Sequence, residues 1–112
     1  MAYWKWCRRW RGPGRPMKPR NIRIAPEGFQ LAVLSLDGVP IPEGGPPIVM
    51  GYDELEAFRL VFYEGLTQEE AARRMGVSRG TLWRCLENAR RKLATALAER
   101  RRVIITGEAD LV

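Results

Sequence analysis

The chain of 112 residues carries a formal net charge of +6, with two cysteines and no histidine. This length suits one small core with an appendage and is too short for two ordinary cores. No run approaches 18 apolar residues, so a membrane span is not expected. Cys7 and Cys85 lie far apart with no His beside either, which argues against a zinc cluster and for two free thiols in a reducing cytoplasm.

Charge falls in blocks. Residues 1–24 hold eight basic groups and no acid, 53–70 hold six acids against Arg59, and 73–102 hold ten Lys or Arg against Glu87 and Glu99. The order is a basic arm, an acidic helix and a basic helix. The opening "MAYWKWCRRW" has no apolar run behind its charges and does not read as a secretory signal.

Residues 1–20 read as an arm, because Gly12, Pro13, Gly14, Pro16 and Pro19 interrupt any periodicity while like charges repel. Two short strands are expected at 21–25 and 29–36, separated by Pro26-Glu27-Gly28, with Asp37-Gly38 as a further turn. "VPIPEGGPP" at 39–47 is a loop. Residues 21–51 therefore form a stretch of short strands and Pro/Gly-rich loop.

Helical spacing begins at Asp53. Asp53 with Glu56 resembles a capping box, and Leu55, Phe58, Val61 and Phe62 recur until Gly65. Thr67 with Glu70 opens a second, short helix that turns Ala71, Ala72 and Met75 inward. Ser78 caps a third helix running to about residue 99, with Leu82, Leu86, Ala89, Leu93 and Leu97 on one stripe. Residues 103–106 read as a terminal strand. The expected fold is mainly α: a three-helix, helix-turn-helix domain over 52–112, with the basic N-terminal arm and a few short β-strands.

The segment "LTQEEAARRMGVSRGTLWRCLENARRKL" at 66–93 joins a short capped helix, a Gly-containing turn and a longer helix. Small Ala71 and Ala72 permit a close helix crossing, and Gly76 permits a left-handed turn. At 100° per residue, Gly80, Arg84, Glu87, Asn88 and Arg91 point away from the stripe, and Arg79, Thr81 and Trp83 flank that outer face. Such a face suits a major groove: Arg84 for guanine, Asn88 for adenine, Thr81 for a base edge or thymine methyl, and Gly80 for close approach. Trp83 suits a groove wall, a stacking platform or a dimer contact. Cys85 is read as a small buried residue.

The chain resembles a small prokaryotic family of predicted DNA-binding proteins of unknown function, whose helix-turn-helix is similar to region four of bacterial sigma factors. The resemblance lies in "CRRW" at 7–10, "YDELEAFRL" at 52–60, "EGLTQEEAARRMGVSRGTLWRCLENARRKLATAL" at 64–97 and the basic-then-apolar tail at 101–107. It implies a transcription-factor-like protein with Ser78 to Asn88 as the recognition element. Gly80 stands where that family usually has Gln, Trp83 where it has a smaller residue, and 31–47 is richer in Pro and Gly. "GRP" at 14–16 is similar to the centre of an AT-hook, with Pro13 where that motif has Arg.

The reading that follows is a double-stranded DNA-binding regulator, homodimeric, nucleoid-associated, and not an enzyme, with no metal or cofactor. Lys5, Arg8, Arg9, Arg11, Arg15, Lys18, Arg20 and Arg91 would contact phosphates, or lie in the minor groove as part of the arm. Two alternatives remain: an adaptor that binds RNA polymerase through the acidic helix 53–64, and an RNA- or ribosome-binding protein using the basic, Trp-containing arm. The acids at Glu54, Glu56, Glu69 and Glu70 are expected on solvent-facing positions near helix N-termini.

Overall fold

The computed structural model describes residues 4–7, 19–23 and 27–107. Five short strands and three α-helices follow in the order β1 (Trp4–Trp6), β2 (Arg20–Ile22), β3 (Phe29–Leu31), β4 (Ile48–Met50), α1 (Tyr52–Phe58), α2 (Gln68–Met75), α3 (Arg79–Glu99) and β5 (Val103–Ile105). Among the described residues, no helix is long and apolar enough to cross a membrane.

The expected arm is partly built into the domain. Residues 4–6 form β1, antiparallel to β2, with Trp4 opposite Ile22 and Trp6 opposite Arg20. Apolar surface drives this: both Trp rings pack edge-on against Tyr52, with centroids 5.7 Å away. Residues 8–18, between these strands, lie outside the described residues, as does the AT-hook-like "GRP".

A second sheet has the order β3-β5-β4, with β3 antiparallel and β4 parallel to the central β5. β3 is shorter than the expected 29–36 because the chain doubles back early. Gly38 N–H donates to the Ser35 carbonyl at 2.9 Å, and Leu34 bridges Pro40. Gly38 supplies the positive φ of 85° that this turn requires. β4 is not signalled by the sequence, since three residues after two prolines show too little alternation.

The N-cap of α1 lies two residues before the expected one. Gly51 is the N-cap, and the Glu54 carboxylate reaches back to accept its N–H at 2.9 Å. The helix widens into a π-turn over Arg59–Tyr63, where Glu64 N–H donates to the Arg59 carbonyl and the two side chains pair at 2.6 Å. Gly65 (φ 75°) then ends it.

α2 and α3 behave as their sequences require. Thr67 and Glu70 cap each other reciprocally, Gly76 adopts φ 70°, and Ser78 Oγ accepts from Thr81 N–H at 3.1 Å. Met75, Leu82 and Leu86 are buried with Ile22, Met50, Leu60 and Ile105, so strands and helices share one core. Crossings are lined by Ala57, Ala71, Ala72 and Ala89, all buried, which allows close approach.

The expected apolar stripe is corrected at its end: Leu97 is 84% exposed and Ala96 faces inward instead. A small residue thus fills the inward position at this end of α3, and the Pro/Gly-rich loop clamps the helix end. Gly44 N–H donates to the Arg100 carbonyl at 3.1 Å, and Arg101 Nε donates to the Pro46 carbonyl at 2.7 Å. A Cβ at Gly44 would fall 2.0 Å from the Glu99 carbonyl oxygen, so no larger residue fits there.

Candidate nucleic-acid interface

The start of α3 follows directly from its cap. With Ser78 holding the first turn and Leu82, Cys85, Leu86 and Ala89 buried, the helix can present only one other face. That face carries the residues expected from spacing. Arg79, Gly80, Trp83, Arg84, Asn88 and Arg91 are exposed, and Thr81 is half-buried.

Local hydrogen bonds order this surface. Ser78 Oγ donates to Thr81 Oγ1 at 3.1 Å, and Arg84 Nη2 donates to the same oxygen at 3.3 Å. The guanidinium is thereby held over the first turn. Glu87, the acid of this face, pairs with Arg90 at 3.4 Å, which leaves Arg84 and Arg91 as positive charge toward solvent. Trp83 is 52% exposed, in keeping with its flanking angle.

The basic N-terminal set divides in three. Lys5 lies on β1, exposed, and donates to Asn21 Oδ1 at 2.9 Å; Asn21 Nδ2 in turn donates to the Arg74 carbonyl at the end of α2 at 3.1 Å. Arg8, Arg9, Arg11, Arg15 and Lys18 lie outside the described residues. Arg20 corrects the expectation: it is buried and paired with Asp53 at 3.1 Å, which removes it from any phosphate-contacting surface.

The acids of α1 are a second correction. Asp53, Glu54 and Glu56 are buried rather than solvent-facing. Glu54 accepts from Lys92 Nζ at 2.7 Å, and Glu56 pairs with Arg59 at 2.8 Å. Burying a carboxylate requires such partners. The i,i+3 pairing of Glu56 and Arg59 is readable from the sequence; the pairing of Glu54 with Lys92, 38 positions away, is not. Arg59 has its pKa raised, first by its hydrogen bond to Glu56. Glu64 lies below the usual carboxylate range because Arg59 donates to it, and Glu70 does so because the Thr67 backbone and hydroxyl donate to it.

Cys7 and Cys85 are not joined in a disulfide; Cys85 is buried as expected and Cys7 is exposed. Among the described residues, no three His, Cys, Asp or Glu side chains converge as metal ligands.

Residues 8–111 match the family described as "Protein of unknown function DUF134". The chain is similar to a UPF0251 protein of Pyrococcus furiosus, 50% identical over 105 residues covering 93% of each chain. A UPF0251 protein of Archaeoglobus fulgidus is 38% identical over 104 residues, covering 92% of this chain and 95% of the relative. One from Halothermothrix orenii is 42% identical over 85 residues, covering 76% of this chain and 60% of the relative. No solved structure matches. The chain belongs to the DUF134 family, which occurs in archaea and bacteria.

Proposed function

We propose that this DUF134 protein is a sequence-selective regulator of transcription that binds double-stranded DNA as a homodimer in the cytoplasm, associated with the nucleoid. α2, the turn at 76–78 and α3 act as a helix-turn-helix, with residues 79–90 in the major groove. The observation that carries this reading is the outward face of α3, where Arg79, Thr81, Arg84, Asn88 and Arg91 stand together beside a capped, side-chain-poor first turn at Gly80.

Each residue has a role set by its chemistry. Arg84, already directed by Thr81, forks onto guanine O6 and N7; Asn88 pairs with adenine N6 and N7; Thr81 meets a base edge; Trp83 forms the groove wall. Arg91 and Lys5 contact phosphates, and Arg8, Arg9, Arg11, Arg15 and Lys18 run along the minor groove or backbone. Arg20 is left out, since its charge is spent on Asp53.

Selection of bound duplexes from a random pool tests the proposal. The intact protein should enrich one sequence, and Arg84→Ala should relax a single position at a cost of roughly 1–3 kcal/mol. Equal weakening on every sequence would mean that α3 does not read bases.

The RNA-polymerase adaptor reading is weaker than the sequence suggests, because the acids meant to form its surface are buried or paired with Arg59 and Lys92. RNA binding through the basic segment remains the second reading; RNA that outcompetes DNA of matched length would favour it.

A further inference from the structure

The three-stranded sheet is covered by helices over only part of its width. Phe29 and Leu31 on β3 stand opposite Ile105 and Val103 on β5, so all four point to the same face. Val103 and Ile105 are buried, whereas Phe29 and Leu31 are about half exposed, at 48% and 50%. An apolar face therefore continues past the edge of the helical layer.

The uncovered strip forms a groove of about 420 Å³, floored by Leu31, Val33, Phe58, Leu93 and Val103. Leu97, on the last turns of α3, lines it and projects from it. Phe62 extends the patch: its ring lies 4.9 Å from that of Phe58, under the Arg90 guanidinium. Phe29, Leu31, Phe62 and Leu97 alone expose on the order of 400 Å², a size at which apolar surface usually marks an interaction site. The groove floor and the β3 backbone edge extend this patch, and polar surface around it would complete the ~800 Å² per partner of a standard interface.

We propose that this groove is the self-association surface, with the Leu97 side chain of a second copy seated in it and the two β3 strands pairing edge to edge across a two-fold axis. The patch carries both a projecting side chain and the hollow to receive one, the self-complementarity that a two-fold contact demands. β3 reads Phe-Gln-Leu, without the Lys or Pro that blunts an open edge, and no strand lies beyond it among the described residues. The arginines at the rim already have acids, Arg90 with Glu87 and Arg101 with Glu99, so the groove favours an uncharged apolar surface over an anionic ligand.

The arrangement deepens, and for its DNA geometry rests on, the regulator reading. Arg84 and Leu97 are 13 positions apart on one helix, about 20 Å along its axis. A two-fold axis near Leu97 separates the two Arg84 residues by up to about 40 Å, which tilted helices reduce to the ~34 Å between half-sites one turn apart.

Sedimentation velocity of the full chain, without DNA and across the micromolar range, tests the surface. A species of twice the 12.8 kDa chain mass is expected. Leu97→Glu and, separately, Leu31→Glu should raise the dissociation constant on the order of 100-fold with unchanged far-UV circular dichroism, since both residues are exposed. Trp83→Ala should leave the dimer intact. A monomer at all concentrations, or a dimer that survives Leu97→Glu and Leu31→Glu but is lost with Trp83→Ala, would overturn the proposal. Because no DNA is present, a dimer that binds no DNA sinks the regulator reading and leaves this one standing, whereas a DNA-binding monomer sinks this one and the homodimer clause of that reading but leaves its DNA binding standing.

Discussion

The Lys92 ammonium lies 2.7 Å from Glu54 Oε1, the same oxygen that accepts the Gly51 N–H at 2.9 Å. One carboxylate, 2% exposed, thus ties the middle of α3 to the N-terminus of α1 and the end of β4. Lys92→Met takes this cation away from a buried carboxylate and should destabilise the fold by about 3 kcal/mol. Adding Glu54→Gln, which still accepts from Gly51, should recover most of the loss. Urea denaturation of the two single variants and the double variant measures the coupling; independent, additive losses would show that the pair is not what couples these elements.

Arg100 ends α3 in the left-handed region, at φ 53° and ψ 55°, with its N–H donating to the Ala96 carbonyl. A side chain there costs about 1–2 kcal/mol that glycine avoids. Arg100→Gly should therefore raise stability by about 1 kcal/mol, despite the extra freedom it gives the unfolded chain. Thermal unfolding reads this directly, and a lowered midpoint would mean that the Arg100 side chain contributes more than its strain costs.

Glu64 and Glu70 are both held below the ordinary carboxylate value of 4.5, Glu64 by donation from Arg59 and Glu70 by donation from Thr67. Their folded values lie below their unfolded ones, so the stability they contribute is present above the unfolded value and lost as pH falls through the folded one. Stability measured from pH 6 down to about pH 3 should decline below roughly pH 4.5. Glu70→Gln should flatten part of that decline. An identical acid limb in the variant would assign the decline to other carboxylates.

The basic segment can be tested without disturbing the core. Removing residues 1–20 would take away β1 and uncover Tyr52, so Arg8, Arg9, Arg11 and Arg15 are better replaced by Gln. With about six phosphates neutralised, log K against log salt should have a slope near −5, reduced by roughly one for each arginine that touches a phosphate. A slope unchanged by all four replacements would place the segment off the nucleic acid.

Local chemistry was legible before any fold was known. Thr67 with Glu70, Ser78 with Thr81, and Gly76 act within three or four positions of one another, so spacing alone placed α2, the turn and the start of α3. The outward set from Arg79 to Arg91 followed from the same periodicity, because a helix with one buried stripe has only one other face. Tertiary structure decided what becomes of charge and apolar surface between distant segments. Arg20 meets Asp53, Glu54 meets Lys92, Trp4 and Trp6 meet Tyr52, and Leu97 is left outside while Ala96 turns inward. A carboxylate looks the same in sequence whether water or a lysine 38 positions away satisfies it, and only the folded core, by excluding the water, makes the difference.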